Sequence, residues 1–541
     1  MRKIKYILVA SMVIAISSSS CKKYFDINDN PNDPTSSSPE LILPQAIVFT
    51  AANTVSYNTY GSWMVGYTAN AGGYGGWGSA LTYNYGQNDY TSLWANAYNN
   101  LEDYQFILNQ TQGDDSYAYY NSAARIMKAM TYQWLVDQYD DVPYEEALKG
   151  TANTVPGYED GEDIYRDLYK QLDTAIAQIR DAQFPKTFAN VLGNADPLFE
   201  DDMVKWIQLA NTLKLKLLVR ASGTDVFDGI TPTFDPLGFL TEDALVNPGY
   251  SKANGKQNPA WNAYHSSYTG TGAARSLITT HFVLSFYNDT KISDVNRASA
   301  IYRGGVNPNR NQLGNTSEGI PAAPSGSPVW YSGPTFSLTA DNAEVIGVLK
   351  GRAMGQPIML AAESYFLQAE ARLKGILTTG DDVKTLYLKG IEASFNYLYK
   401  NQSNTLNAPG DNPLELVDPE ADAAAYLVEG DNENNRLVNI DLAATDEEKL
   451  EAIITQKYIA LNMIHGHEAW AEFRRTGYPE IDNTAPLDRD LTFVSLLSTS
   501  TAPDKLLGRV LYPATEYQLN DKNVPAGISV FDSYVFWDRR N

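Results

Sequence analysis

Apolar residues recur in this chain at steps of three and four, a spacing that decides its fold class before any other feature is considered. Leu93, Ala97, Leu101, Tyr104 and Leu108 step by 4, 4, 3 and 4, and Tyr119, Ala123, Met127, Met130 and Trp134 repeat the same steps. Such spacing places each set on one face of an α-helix. The intervening QGDDS supplies a short turn, so the two segments predict an antiparallel helical hairpin. Ile164, Leu168, Leu172, Ala175 and Ile179 form another face, with Trp206, Leu209, Leu213 and Leu217 as its partner. AAESYFLQAEARLKG (361–375) and residues 383–399 make a third pair. A fourth starts at Thr445, which forms a predicted capping box with Glu448, and continues into HEAWAEFRRTG.

About four such pairs predict a mostly α fold of tetratricopeptide-like helix pairs, with small residues where helices cross. The repeat is interrupted. Residues 221–360 carry little periodicity and much Gly, Pro, Asn and Ser, and loops that long are usually functional or disordered. Trp261, Tyr264, Tyr268, Trp330 and Tyr331 argue against disorder, which is poor in aromatics.

The N-terminus predicts the compartment. Arg2, Lys3 and Lys5 precede the apolar run YILVASMVIAI, the small residues Ser17 to Ser20, and Cys21. This is the layout of a secretory signal, too short to span a bilayer. Cys21 is the only cysteine and follows the signal directly, which predicts lipid attachment there, although Ser18 stands where a lipobox usually has an aliphatic residue. Residues 1–20 are thus read as a lipoprotein signal peptide, 21–39 as a lipid-anchored tether rich in Asn, Asp, Pro and Ser, and 40–541 as one domain. DINDN in the tether has the start of a calcium loop, but Pro31 occupies the turn position and no Glu follows at the right distance.

A formal charge of −23 excludes a nucleic-acid partner, which needs a Lys/Arg surface, and suits a body held off an anionic membrane. Four scattered His, two of them in HGH, give no metal-ligand spacing, and neither HExxH, a P-loop, a dinucleotide fingerprint nor a G-x-S-x-G elbow occurs. No metal, cofactor or catalytic residue is expected. A surface glycoside hydrolase would need a specific carboxylate pair, and among 64 acids no spacing singles one out.

Several segments resemble the SusD/RagB family of nutrient-binding outer-membrane lipoproteins. KKYFDINDNPNDPT resembles the start of the family after its lipidated Cys. DQYDDVPYEEAL (137–148) resembles its "YGDVPY" segment, with Asp140 in place of the usual Gly. KWIQLANTLKLKLLVR, AAESYFLQAEARLKG and QKYIALNMIHGHEAWAEFRRTGYP match family helices, and RVLYPATEYQLN and VFWD its C-terminal signature. The resemblance implies a SusD-like fold and a lipoprotein on the outer membrane facing the cell exterior. It would sit as a hinged lid over a TonB-dependent (SusC-like) barrel and deliver an oligomeric nutrient, most often an oligosaccharide and in some members a peptide.

Sugars offer C–H faces for aromatic rings and hydroxyls for amides, carboxylates or Arg. Residues 67–90 fit this best: Tyr74, Trp77, Tyr83 and Tyr85 lie among glycines, with Asn70, Asn84 and Gln87 as polar contacts. Trp261, Tyr264, Trp330 and Tyr331 are further candidates in the mid-chain loops, and Arg303 and Arg310 could meet a carboxylate. Trp94, Trp134, Trp206 and Trp470 lie on helical faces and read as core. Arg474 and Arg475, near Glu468 and Glu472, read as a network bracing one helix. The glycine-rich, aromatic loops favour a glycan over a peptide.

Overall fold

Among the described residues, eight of the ten longest helices carry the periodic faces read from the sequence. In this computed structural model, residues 37–182, 192, 196–325, 327–333, 344–483 and 488–540 are described. The signal segment, Cys21 and the tether up to residue 36 lie outside them. The long helices are α1 (Pro39–Met64), α2 (Thr91–Gln110), α3 (Ala118–Tyr139), α4 (Gly161–Asp181) and α5 (Met203–Arg220). They continue as α6 (Ala361–Leu373), α7 (Val383–Tyr399), α8 (Pro419–Asn432), α9 (Asp446–Ala460) and α10 (Gly466–Thr476). The pairs α2/α3, α4/α5, α6/α7 and α9/α10 occupy the expected segments. Thr445 and Glu448 close both halves of the capping box at the start of α9.

The periodicity does not reveal α1, the longest helix among the described residues. It is buried around most of its circumference by residues as different as Leu43, Thr50, Asn58, Tyr60 and Trp63, so no polar stripe alternates with an apolar one. α10 packs closely on α1 as well as following α9. The amide of Gly466 donates to Asn58 Oδ1 at 2.7 Å, and Gly61 and Gly466 leave the room for this crossing. In α7, Gly390 does the same for the Phe366 ring of α6.

A buried charge network ties the helices together. Lys216 of α5 pairs with Glu363 of α6 at 2.7 Å and Glu468 of α10 at 2.8 Å. Arg220 pairs with Asp137 of α3 at 2.8 Å and Glu468 at 2.7 Å, and Lys457 of α9 with Glu472 at 2.8 Å. Arg475 grips Glu370 of α6 through both terminal nitrogens, at 2.6 and 2.7 Å, and also Glu472. The arginines of α10 therefore brace neighbouring elements as well as their own helix. Arg474 donates to the carbonyl of Asp137 at 2.6 Å and lies over the Trp537 ring.

The C-terminal segment closes on the end of α3. Trp537 Nε1 donates to Asp137 Oδ1 at 3.0 Å, and Tyr512 to the carbonyls of Tyr139 and Asp141 at 3.0 and 2.8 Å. Asp140 adopts φ +62°, a left-handed conformation that glycine takes without strain. Its carboxylate accepts from the Phe536 amide at 2.8 Å, and burial raises its pKa to about 6.

Two small sheets complete the fold. β1 (Thr68–Asn70) runs antiparallel to β3 (Leu277–Thr280), pairing Asn70 with Leu277, and β3 runs parallel to β4 (Arg310–Asn311). β2 (Ala244–Val246) pairs with β5 (Gln356–Met359). No helix among the described residues is long and apolar enough to cross a membrane.

Candidate functional site

The three-stranded sheet gathers three loops at one end. Where β1 ends, β3 and β4 begin, so the glycine loop 71–78 leaves where segments 265–276 and 302–309 arrive. Ser266 and Gly272 bridge to make a hairpin of the second segment, with residues 267–271 at its tip. A fourth segment joins them: Gly72 N donates to Pro321 O at 3.0 Å, and Asn309 Nδ2 to Ala322 O at 2.7 Å. Positions 73, 75, 76 and 78 are glycines with open space around them, so the loop stands clear of the body.

Two loops at this sheet end carry the exposed aromatic rings. Tyr74 is 48% exposed and Tyr268, at the hairpin tip, 41%; among the described residues these are the most exposed large aromatics. Trp77 is half-buried, its ring stacked on Trp63 with centroids 5.8 Å apart. The Trp63 indole in turn donates to Ala80 O at 2.6 Å, which fixes the orientation of the stack. Asn84 and Gln87 are exposed. A ring held this way can present a flat apolar face with little torsional freedom left to lose.

Tyr268 was not singled out for this role in the sequence. It shares the signature of the first loop, a Tyr beside closely spaced glycines (Gly270 and Gly272), and that signal would have found it.

The structure buries most of the other expected contacts. Asn70 is a sheet linchpin: its amide donates to Asn315 O at 2.8 Å and accepts from Gly314 N at 3.1 Å. Tyr83 is fully buried, its hydroxyl accepting from Ser495 N at 3.1 Å, and Tyr85 packs against Tyr90. Glycines beside these rings let the backbone turn, and it turns them inward. Tyr264 is buried against α1, with its hydroxyl 2.6 Å from Thr59 Oγ1 and 3.0 Å from Asn58 Nδ2. Arg310 is half-buried at the start of β4, and Arg303 donates to Ser327 Oγ.

Trp261, Trp330 and Tyr331 are buried too. Trp261 stacks on His265 at 3.8 Å, Tyr331 meets His265 edge-on at 4.6 Å, and the Arg352 guanidinium lies 5.3 Å from the Trp261 ring. Burial, with the Arg352 charge adding to it, holds the His265 imidazole neutral, its pKa pushed down to about 3. His265 directly precedes the hairpin that carries Tyr268, so this cluster anchors the hairpin's base. Among the described residues no group of three or more His, Cys, Asp and Glu is placed to hold a metal ion.

Residues 31–494 match the SusD-like family model described as "Starch-binding associating with outer membrane". Solved structures share the fold. A SusD homologue from Bacteroides fragilis superposes with a TM-score of 0.63 at 20% identity, over 93% of this chain and 99% of that one. A chitin-binding SusD homologue from Flavobacterium johnsoniae gives 0.62 at 20% identity, over 92% and 98%. A SusD homologue from Bacteroides ovatus gives 0.62 at 20%, over 92% and 99%. No curated protein matches significantly.

Proposed function

Because this chain belongs to the SusD-like family of nutrient-binding outer-membrane proteins, we propose that it is a cell-surface lipoprotein that binds an oligosaccharide and passes it to a TonB-dependent barrel, over which it sits as a lid. Cys21 carries the lipid, and the acidic body stands off the membrane on the tether. The protein binds without cleaving.

The observation that carries this reading is the exposed aromatic face at the sheet end. Tyr74, Trp77 and Tyr268 offer stacking surfaces on loops with glycine freedom, and Asn84 and Gln87, a few residues on from Trp77 in sequence, are exposed amides. That combination suits pyranose rings, whose two faces differ in polarity. The family description and a fold neighbour named for chitin binding agree with a glycan. Extended peptides, held through their backbones, make less use of isolated rings.

The test is a binding screen of the lipid-free mature protein against oligosaccharides and short peptides. We expect saturable binding of a glycan with no product released. Binding of peptides alone would overturn the ligand class, and steady release of shorter sugars would overturn the non-catalytic role. Purification from membranes with the lipid in place should bring a barrel protein along; its consistent absence would overturn the lid.

A further inference from the structure

A second polar cleft lies on the helical scaffold, between α2, α3 and α4, built from elements other than the sheet-end loops. Two adjoining hollows of about 300 and 550 Å³ share Gln105, Asn109, Lys128, Tyr144 and Gln171. Arg125 lines the first, one helical turn before Lys128 on the same face of α3.

Both cations are half-buried, and both are satisfied only by neutral groups. Arg125 donates to Gln171 Oε1 and, at 3.2 Å, to Asn121 Oδ1, and its Nε has no partner among the described residues. Lys128 Nζ donates to Gln105 Oε1 at 2.6 Å. Asp167, which lines the second hollow with Glu145, accepts from Tyr144 at 2.6 Å and from Gln171 at 2.9 Å; it makes no direct hydrogen bond to either cation, but its charge favours the protonated form of both. Elsewhere on the scaffold the buried cations Lys214, Lys216, Arg220, Lys457 and Arg475 are ion-paired. Arg125 and Lys128 instead face one cleft with only neutral groups in direct contact. Burial and the adjacent Arg125 already disfavour the charged form of Lys128, whose pKa falls to about 8.

We propose that this cleft binds a carboxylate-bearing sugar, a uronic acid unit, with its carboxylate between Arg125 and Lys128. The fork of Arg125 matches a carboxylate, and Lys128 adds a second charge beside it. Gln105 is bonded to Lys128 and Asn109, which leaves the Asn109 amide nitrogen and the Gln112 carboxamide for ring hydroxyls, and the Tyr144 ring as an apolar wall. A bare anion would leave these carboxamides unused, and a neutral sugar would leave the cations unanswered.

Calorimetric titration of the mature protein with glucuronate, glucose and sulfate tests this. Glucuronate is expected to bind saturably, at least about tenfold more tightly than either control and more weakly as salt rises. Arg125→Gln with Lys128→Gln should abolish that binding while the thermal transition is retained. Lys128→Arg, which keeps the charge, should preserve it. Equal binding of glucose or sulfate, no binding of glucuronate, or binding that survives in the double variant would each overturn the site. Should the double variant fail to fold, the Lys128→Arg and salt results decide on their own.

Discussion

Gly466, at the start of α10, lies so close to Ser62 of α1 that a Cβ added to it would fall 2.8 Å from the Ser62 Cα and closer still to its amide nitrogen. Both opposing atoms are backbone, so neither can swing aside. The crossing places the Gly466 amide on Asn58 and joins the last long helix to the first. Gly466→Ala should force the two helices apart and cost about 1–3 kcal/mol or more, as overpacking of a close-packed interior does. Urea unfolding followed by far-UV circular dichroism measures it; a midpoint equal to wild type would show that the crossing adapts freely.

Lys216 is the hub between Glu363 and Glu468, with all three side chains buried. Removing one member of a buried ionic set leaves the others uncompensated, at a cost of about 3–5 kcal/mol. Lys216→Met should lose stability on that scale. The double variant Lys216→Met/Glu363→Gln should recover part of it, because one orphaned charge disappears. Equal loss in both variants would mean that Lys216 acts through packing rather than charge.

The same region sets an acid limit. Burial pushes the pKa of His467 down to about 3 from 6.5, only partly opposed by Glu468. The unfolded chain then binds the extra proton below about pH 6.5, so this contribution is complete above that pH and is lost as pH falls toward 3. Burial also opposes ionisation of Glu363, but the Lys216 charge beside it outweighs burial and holds the pKa at about 2. Its contribution is present above about pH 4.5 and lost as pH falls from there toward 2. Unfolding free energy measured from pH 7.5 to 4 should therefore decline below about 6.5, and His467→Gln should flatten the upper part of the decline. An identical profile in the variant would assign the acid sensitivity to other groups.

Asp140 shows a departure from the family pattern with a physical consequence. A non-glycine residue at φ +62° carries roughly 1–2 kcal/mol of backbone strain. Burial raises its carboxyl pKa to about 6, so ionisation above that pH opposes folding and the penalty is relieved as pH falls through 6. Asp140→Gly gives up the hydrogen bond from Phe536, worth about 1 kcal/mol, and removes both penalties. The variant should be more stable than wild type at pH 7.5, with the advantage shrinking toward pH 5. A less stable variant at pH 7.5 would make the Phe536 contact dominant.

The helix pairs were legible because each has one face in the core and one in water. Leu93, Leu101 and Ile107 on α2 are buried, while Asn109 on the same helix is exposed. α1 was not legible because Tyr57, Asn58, Tyr60 and Trp63 are buried together, and a helix covered on most sides has no period to read. The sheet that organises the candidate site is made of strands two to four residues long, too short for alternation to register. Without that sheet, Tyr74 and Tyr268, about 200 positions apart in sequence, could not be seen to share an end of the fold. Aromatic residues near glycine singled out residues 67–90, yet spacing alone could not separate Tyr74, turned out, from Tyr83, turned in.

That separation is open to direct test. Tyr74, Trp77 and Tyr268 have exposed or half-buried rings, whereas the Tyr83 hydroxyl is committed to Ser495 N at 3.1 Å. With a bound oligosaccharide in hand, Trp77→Ala should weaken binding by about 1–2 kcal/mol, a factor of roughly 5–30, without changing the unfolding midpoint much. Tyr268→Ala and Tyr74→Ala should each weaken it less, because among the described residues these rings have no stacking partner like the one that orients Trp77. Tyr83→Phe should do the reverse: affinity unchanged, and stability lower by about 1 kcal/mol for the buried amide left without its acceptor. Affinity from titration calorimetry and midpoints from urea unfolding, measured on the same four variants, give two orderings. If Tyr83→Phe lost affinity while Trp77→Ala kept it, the ligand would lie inside the loop cluster rather than on its aromatic face.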